Sequence, residues 1–468
     1  MISGEYRRLV VVSNRTPTGV ELGSTRGESP KTVGGLVSAL YPALQQRGGL
    51  WFGWSGRTTR RQSHVPPLLL RQGAIELATI DLSEEEVNDF YAGFCNRTLW
   101  PLFHCFPTRV RLRREEYRAY KRVNHSFATH LFPLLKGEDL VWVHDYHLIP
   151  LGAELRKLGW QEKLGFFLHT PFPPVDILTI LPSAAQLLAD LNAYDVLGFH
   201  TQRYCQNCVD AMCTELGGTF DGRVYRSERG AVHCGVYAIG TDPAAFARWA
   251  TSAKAKMQSR RLRRSVRGRR IVLGVDRLDY TKGIPERLLA FERLLERYPA
   301  WQGRVSLIQI SAPSRTRVPE YIEQKREVDR LVGAINGRFS EEDWVPIRYL
   351  YRTYSQEELA VFYREADVCI VTPLRDGMNL VAKEYIAAQT ADPGVLVLSR
   401  FCGAAEELRE AVIVNPYDID GMADDLKRAL EMPLAERQER WKALHKRVQA
   451  VTAQTWCEQF LADLACAA

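Results

Sequence analysis

A chain of 468 residues, 46% hydrophobic and 25% charged, has the composition of a soluble globular protein, and at about 100–200 residues per domain it is long enough for two large domains. No apolar run approaches the ~20 residues that cross a bilayer, and Glu5, Arg7 and Arg8 lead into an apolar stretch too short for a secretory signal, so the expected compartment is the cytoplasm. The net charge is a modest +7, and its densest part, Arg260–Arg270 (RRLRRSVRGRR), has no interleaved aromatics, which favours a solvated helix or linker over a nucleic-acid-binding segment.

Leu9–Ser13 (LVVVS) reads as the first buried strand, with Asn14, Arg15 and Thr16 at its carboxyl end, where open α/β sheets bind ligands. Thr18 to Ser29 is a Gly/Ser/Thr-rich loop leading to Gly34-Gly35-Leu36, a glycine pair that opens a helix and lets backbone approach a ligand closely. Leu50–Gly56 and Ile75–Asp81 are further strands. Ser83–Glu86 (SEEE) has the acidic first turn of a helix that carries Tyr91, Phe94 and Trp100-Pro101, aromatics whose spacing alone reads as core.

A βα alternation follows. Leu140–Val143 ends in His144-Asp145-Tyr146-His147, Leu164–Leu168 ends in His169-Thr170-Pro171, and Val196–Phe199 ends in His200-Thr201. Three successive strands therefore place Asp145, His169 and His200 along one edge of a parallel sheet, a ligand-binding signal. Neither the Cys205, Cys208, Cys213 cluster nor the pair His144 and His147 has the further ligands of a zinc site, so no metal is expected.

A second series starts after the basic run. Ile271–Val275 ends in Asp276-Arg277-Leu278-Asp279-Tyr280-Thr281-Lys282-Gly283 before a helix from about Pro285 to Tyr298, and Arg277 and Lys282 flank the turn as a clamp for a diphosphate would. Val305–Ile310 leads to Ser314-Arg315. Further strands are Ile347–Leu350, Val368–Thr372, Gly394–Leu398 and Ala411–Val414, and a long helical tail begins near Leu434. The densest turn is VTPLRDGMNLVAKE (Val371–Glu384). Its strand breaks at Pro373 and Gly377, and Asn379 caps a helix from Leu380 to about Ala388. Backbone N–H groups at such a helix start suit a phosphate, while Asp376 and Glu384 suit sugar and ribose hydroxyls.

The blocks VVSNR, GGL, WFGWSG, LWPLFH, HDYHL, GFFLHTPFP, DRLDYTKG and PLRDGMNLVAKEY, in this order from Leu9 to about Asp463, resemble the trehalose-6-phosphate synthases of glycosyltransferase family 20. The resemblance implies a GT-B fold, two Rossmann-like doubly wound α/β domains facing a central cleft. Residues 1–240 would bind the acceptor, 241–435 the nucleotide sugar, and 436–468 would form a helix crossing back to the first domain. It implies a retaining transfer of glucose from UDP-glucose to glucose 6-phosphate, without metal or cofactor, nucleic acid or membrane; a homo-oligomer is compatible with it.

By position, Arg277 and Lys282 would hold the donor diphosphate, Asp376 with Gly377, Met378, Asn379 and Leu380 the donor glucose and phosphate, and Glu384 the ribose. Gly35 would lie beneath the donor, and Asp145 and His169 would bracket the two sugars. The acceptor phosphate would fall to Arg15, Tyr91, Trp100 and Arg315; here the resemblance, not the spacing, selects the two aromatics. The catalytic set is thus Asp145, His169, Arg277, Lys282 and Asp376. No second carboxylate stands ready as the nucleophile of a retaining hydrolase, and the family's front-face attack, with the departing phosphate helping to deprotonate the acceptor, replaces it. His200 stands where some relatives carry glutamine. A related synthase acting on glycerol 3-phosphate and a silent sugar-phosphate-binding subunit are the competing readings, and the donor base is not legible from motifs.

Overall fold

The computed structural model describes residues 8–17, 35–60, 66–316 and 318–467; the expected loop from Thr18 to Ser29 and the first glycine of the pair, Gly34, lie outside the described residues. Of the described residues, 8–17, 36–239 and 453–467 form one compact unit, and Gly35 with those from 240 to 452 the other.

The first unit is built on β1 (Leu9–Arg15), β2 (Gly49–Thr59), β3 (Leu68–Gln72), β4 (Ile75–Ser83), β5 (Leu140–His144), β6 (Leu164–Phe167), β7 (Val196–Phe199), β8 (Thr219–Phe220), β9 (Val224–Ser227) and β10 (Gly230–Val236). Among the described residues they make one sheet in the order β3-β4-β2-β1-β5-β6-β7-β10-β9-β8. The strands from β4 to β10 in that order run parallel, and antiparallel partners close both edges. The central strands are buried on both faces, so their sequences are unbroken apolar runs and were legible as strands. The edge strands β3, β8 and β9 are short or half-exposed, and periodicity does not single them out.

The second unit contains β11 (Arg270–Arg277), β12 (Val305–Ala312), β13 (Ile347–Leu350), β14 (Val368–Val371), β15 (Val395–Ser399) and β16 (Val412–Val414), all parallel, in the order β13-β12-β11-β14-β15-β16. Both sheets are doubly wound. The chain lays strands outward from the first, then returns to build on its other side, so the order reverses between β1 and β5 and again between β11 and β14. Helices that depart to opposite faces at a reversal leave a crevice at the strands' carboxyl ends. The blocks VVSNR, HDYHL, DRLDYTKG and PLRDGMNLVAKEY lie at the ends of the strands that flank these two reversals.

The basic run is spent on the protein itself. Residues Ala253–Ser265 are helical, and Arg263 pairs with Glu365 (2.6 Å), Arg267 and Arg269 with Asp343 (2.8 Å each) and Arg270 with Asp367 (2.6 Å). Such half-exposed pairs contribute little singly, about 0–1 kcal/mol, but they account for four of its arginines. Cys205 and Cys208 are buried on the helix Gln202–Leu216, and burial pushes the Cys205 thiol up to about 12, which disfavours the thiolate that metals require.

The tail is two helices, not one. Leu434–Ala450 stays with the second unit, where Trp441 Nε1 donates to the Ile386 carbonyl at 3.2 Å. Ala453–Cys466 belongs to the first unit and lays Trp456, Phe460, Leu461 and Leu464 into its core. The Phe460 ring stacks on Trp142 (centroids 4.4 Å apart, 10° between planes). Space for Phe460 comes from β6, since a Cβ on Gly165 would sit 2.7 Å from its ring. Gly165→Val should therefore displace the last helix and cost about 1–3 kcal/mol, as overpacking does. Urea unfolding, with limited proteolysis around Val451–Thr452, measures both; wild-type stability and protection would show that the helix is held otherwise.

Candidate active site

In the second unit the reversal places the turn after β11 beside the turn after β14. Leu374 N donates to the Thr281 carbonyl at 2.8 Å, joining turns far apart in sequence. Beneath both turns lies Arg287, fully buried, whose guanidinium reaches Asp276 (2.6 Å), Gln309 (2.9 Å) and Thr372 Oγ1 (3.1 Å). Gly274 in β11 makes room for it, since a Cβ there would come within 2.4 Å of Arg287 Nη1. Gly283 ends the first turn with φ 61°, and a Cβ would lie 2.1 Å from the Thr372 carbonyl oxygen, so only glycine fits.

Above this support, Lys282 Nζ pairs with Asp376 Oδ2 at 2.6 Å, and Asn379 Nδ2 donates to the same oxygen at 3.0 Å. Asn379, at φ 79°, caps the helix Leu380–Ala388 through Ala382 N, as the sequence predicts. Among the described residues no intramolecular hydrogen bond takes the N–H groups of Gly377, Met378 or Leu380. One turn therefore presents orphan donors, the positive end of a helix and a lysine that is itself neutralised by Asp376. Arg277 is exposed at the end of β11.

Arg315 is placed differently from an open phosphate ligand. Its backbone sits at φ 47°, its guanidinium is held on buried Asp279 at 3.0 Å, and Tyr321 OH donates to the same carboxylate oxygen at 3.0 Å. Burial pushes the Asp279 carboxyl up, but Arg315, Arg277 and Lys282 outweigh it and hold it down at about 2. Glu384 is the opposite case. It is 7% exposed, accepts from Tyr363 OH at 2.9 Å, and burial lifts its carboxyl to about 7.

In the first unit the carboxyl edge of β1, β5, β6 and β7 carries the predicted polar residues. Asp145 directly follows β5 with φ 74° and ψ 163°, a region that only glycine occupies at ease, at a cost of about 1–3 kcal/mol for other residues. Its Oδ1 accepts from the His169 backbone N–H at 3.3 Å. His169 Nε2 meets His144 Nδ1 at 3.1 Å, and burial holds the His169 imidazole down at about 3, so the ring is neutral. The His200 ring packs edge-on to His169, centroids 5.4 Å apart.

The two aromatics arrive by an unusual route. Val87–Leu99 is a π-helix, and its i→i+5 winding continues to the Trp100 N–H, which donates to the Cys95 carbonyl. At 3.6 residues per turn, positions nine apart lie roughly 2.5 turns apart on opposite faces; the wider π turn brings Tyr91 and Trp100 round to one face. There Tyr91 stacks on His147 (6.0 Å), His147 on Tyr146 (4.0 Å), and Trp100 packs against Tyr146 (5.7 Å). Asn96 locks the arrangement, donating to the Tyr91 carbonyl at 2.7 Å while accepting from Tyr146 OH at 3.0 Å. Arg15 is exposed at the end of β1, lying over Gly56 of β2. Gly35 is the first residue of the helix Gly35–Arg47.

A family model, Glycosyltransferase family 20, matches residues 7–466. The chain belongs to glycosyltransferase family 20. It is 45% identical to the trehalose-6-phosphate synthase of Sinorhizobium fredii over 98% of both chains. Among solved structures it is similar to a UDP-forming α,α-trehalose-phosphate synthase of Burkholderia xenovorans in complex with glucose-6-phosphate (TM-score 0.92, 41% identity, 98% of this chain and 100% of that one). It is also similar to a structure from Escherichia coli bound with UDP-2-fluoro glucose (TM-score 0.91, 40% identity, 98% of each chain). The two doubly wound domains are those of the GT-B fold.

Two buried groups behind these turns carry no local sequence signal of their role. Arg287 falls inside the helix expected from about Pro285, and the glycine inside β11 is the one hint that something large passes there. His144 was read as a strand end, with no pattern to show that it bonds to His169.

Two outcomes follow from this geometry. Asp145→Gly should relieve the backbone and raise the unfolding free energy by about 1 kcal/mol, measured in urea; a destabilised variant would mean that the conformation is not strained. Glu384 titrates at 4.5 when unfolded and about 7 when folded. Below pH 4.5 it is protonated in both states, and stability is lost as pH rises from there through 7. Glu384→Gln should accordingly match wild type near pH 4.5 and exceed it by about 3 kcal/mol at pH 8, at 1.36 kcal/mol per pKa unit. Equal stabilities at both pH values would contradict the buried, protonated carboxyl.

Proposed function

We propose that the chain transfers glucose from UDP-glucose to glucose 6-phosphate with retention, releasing UDP and α,α-trehalose 6-phosphate. The observation that carries this reading is the full-length similarity to trehalose-6-phosphate synthases, including one structure holding glucose-6-phosphate and another holding UDP-2-fluoro glucose.

The residue roles follow from the chemistry of each half. Breaking the glucosyl–phosphate bond builds negative charge on the departing diphosphate, and Arg277 and Lys282 with the orphan N–H groups of Gly377, Met378 and Leu380 stabilise it without a metal. An arriving diphosphate competes with Asp376 for Lys282, which frees Asp376 to accept from hydroxyls of the donor glucose. Asn379 stays as the cap that orients this turn. Glu384, whose carboxyl burial lifts to about 7, engages the ribose hydroxyls, donating when protonated and accepting in either form. Gly35 lies beneath the donor. Asp145 and His169 bracket the reacting sugars, and the backbone strain at Asp145 supports a working role for its carboxylate.

The acceptor phosphate falls to Arg15, Tyr91, Trp100 and Arg315. Arg315 keeps one edge on Asp279, and its five donors leave others for the phosphate. With no nucleophilic carboxylate, the acceptor hydroxyl attacks from the face the leaving group departs, and its proton passes to the departing phosphate oxygen. Ten free cysteines, most of them buried thiols, fit a reducing compartment, the cytoplasm. Among the described residues no helix is long and apolar enough to cross a membrane.

Turnover of UDP-, ADP- and GDP-glucose against glucose 6-phosphate and glycerol 3-phosphate, with the product identified by NMR, tests the reading. An α,α-1,1-linked disaccharide phosphate from UDP-glucose is expected; turnover confined to glycerol 3-phosphate, or none with any pair, overturns it. Arg277→Ala should lower kcat by about 10²–10³, as loss of one oxyanion donor does, with unfolding unchanged; near-wild-type turnover would remove Arg277 from the diphosphate clamp.

A further inference from the structure

His144 takes no part in the chemistry above, yet it is wholly buried at the end of β5 and, among the described residues, makes one side-chain hydrogen bond, to His169 Nε2 at 3.1 Å. Two neutral imidazoles sharing that bond have two possible proton arrangements. In one, His169 donates from Nε2 and His144 accepts at Nδ1, which leaves His144 with its proton on Nε2. In the other, His144 donates from Nδ1, leaving a bare lone pair on its Nε2, and His169 carries its own proton on Nδ1.

The surroundings of His144 Nε2 choose between them. That atom is buried and has no hydrogen-bond partner among the described residues. The ring lies against Trp142 (centroids 4.5 Å) and Trp456 (6.2 Å), whose buried indole N–H groups also find no acceptor. An N–H placed there would be a third orphaned donor in one aromatic nest, with only a ring face to meet it. An orphaned N–H is costlier than an under-used lone pair. The second arrangement is therefore the favoured one.

We propose that His144 is a positioning residue that donates from Nδ1 to His169 Nε2 and so fixes His169 as the Nδ1–H tautomer, a hydrogen-bond donor to the reacting sugars. The consequence for the reaction is directional. With Nε2 occupied and Nδ1 protonated, His169 has no free lone pair with which to take a proton from the acceptor hydroxyl. It serves as a donor to a sugar oxygen, and the proton must leave by another route, as front-face attack requires. What the donor serves rests on the proposed glucosyl transfer; the tautomer does not. Burial, which holds both rings below the usual imidazole range, keeps the pair neutral through the working pH range.

The test begins with the wild-type protein labelled with 15N-histidine. Long-range 1H–15N spectra, assigned with His144→Leu and His169→Phe, should show protonated Nδ1 and bare Nε2 in both residues; a proton on Nε2 of His169 overturns the proposal. The kinetic arm compares His144→Leu with His144→Asn, whose amide can present an N–H near the position of imidazole Nδ1. His144→Leu should lower kcat about 10–100-fold, the usual loss when an outer hydrogen bond that orients a working histidine is removed. KM for glucose 6-phosphate should hold within about two-fold, and His144→Asn should recover most of the rate. Equal loss in both variants would mean that His144 only fills space, and overturns the positioning role. The tautomer is read without turnover, so failure of the substrate assignment shows in the donor and acceptor assay and failure of the inference in the spectra.

Discussion

The arrangement of the second unit depends on one buried guanidinium. Arg287 joins the end of β11 through Asp276, the middle of β12 through Gln309 and the end of β14 through Thr372. Its two turns differ widely in sequence position and are adjacent only because the strand order reverses between them. A reversal opens a crevice but does not by itself fix the height of the loops on either side. The shared charge does, because removing one partner of so deeply buried a pair leaves an uncompensated charge, at about 3–5 kcal/mol. Gly274 and Gly283 are consequences of the same demand, the first vacating space for the guanidinium and the second letting one turn touch the backbone of the other.

The two units solve their electrostatics in opposite ways. In the second, two of the cations near the turns are already engaged: Lys282 with Asp376, Arg315 with Asp279. A ligand must displace or share a carboxylate, so only a group with comparable charge density gains by binding, and weakly charged competitors are rejected. In the first unit burial keeps the His169 and His144 rings of the edge from protonation, and the Asp145 carboxylate is carried on a strained backbone. Glucosyl transfer builds positive charge on the sugar ring, and neutral rings beside a carboxylate do not oppose it.

How much of this was readable in sequence varied with the range of the interaction. The turn Val371–Glu384 was legible residue by residue, including the Asn379 cap and both ends of its helix, because caps, breakers and strand composition act over three or four positions. The pairing of Lys282 with Asp376 was not, since it follows from strand order and nothing local signals it. The basic run was read by its charge alone, and its partners Asp343, Glu365 and Asp367 lie far along the chain. The edge strands escaped because a half-exposed strand loses the apolar run that marks a central one.

The π-helix is the instructive failure. Read as an α-helix, Val87–Leu99 sends Tyr91 and Trp100 to opposite faces, and the natural conclusion is that both are core. The wider turn brings both to one face, with Trp100 buried and Tyr91 half-buried, and its cause lies outside the segment. Asn96 reaches back five positions to the Tyr91 carbonyl and outward to Tyr146, whose own carbonyl accepts from Tyr120 OH at 2.8 Å. Tyr146 and His147 lie in the turn after β5, so the winding of this helix is set by packing against the strand edge that carries Asp145. An assumption of 3.6 residues per turn must misplace such residues relative to one another, because the register that aligns them is fixed by tertiary partners and not by the segment's own pattern.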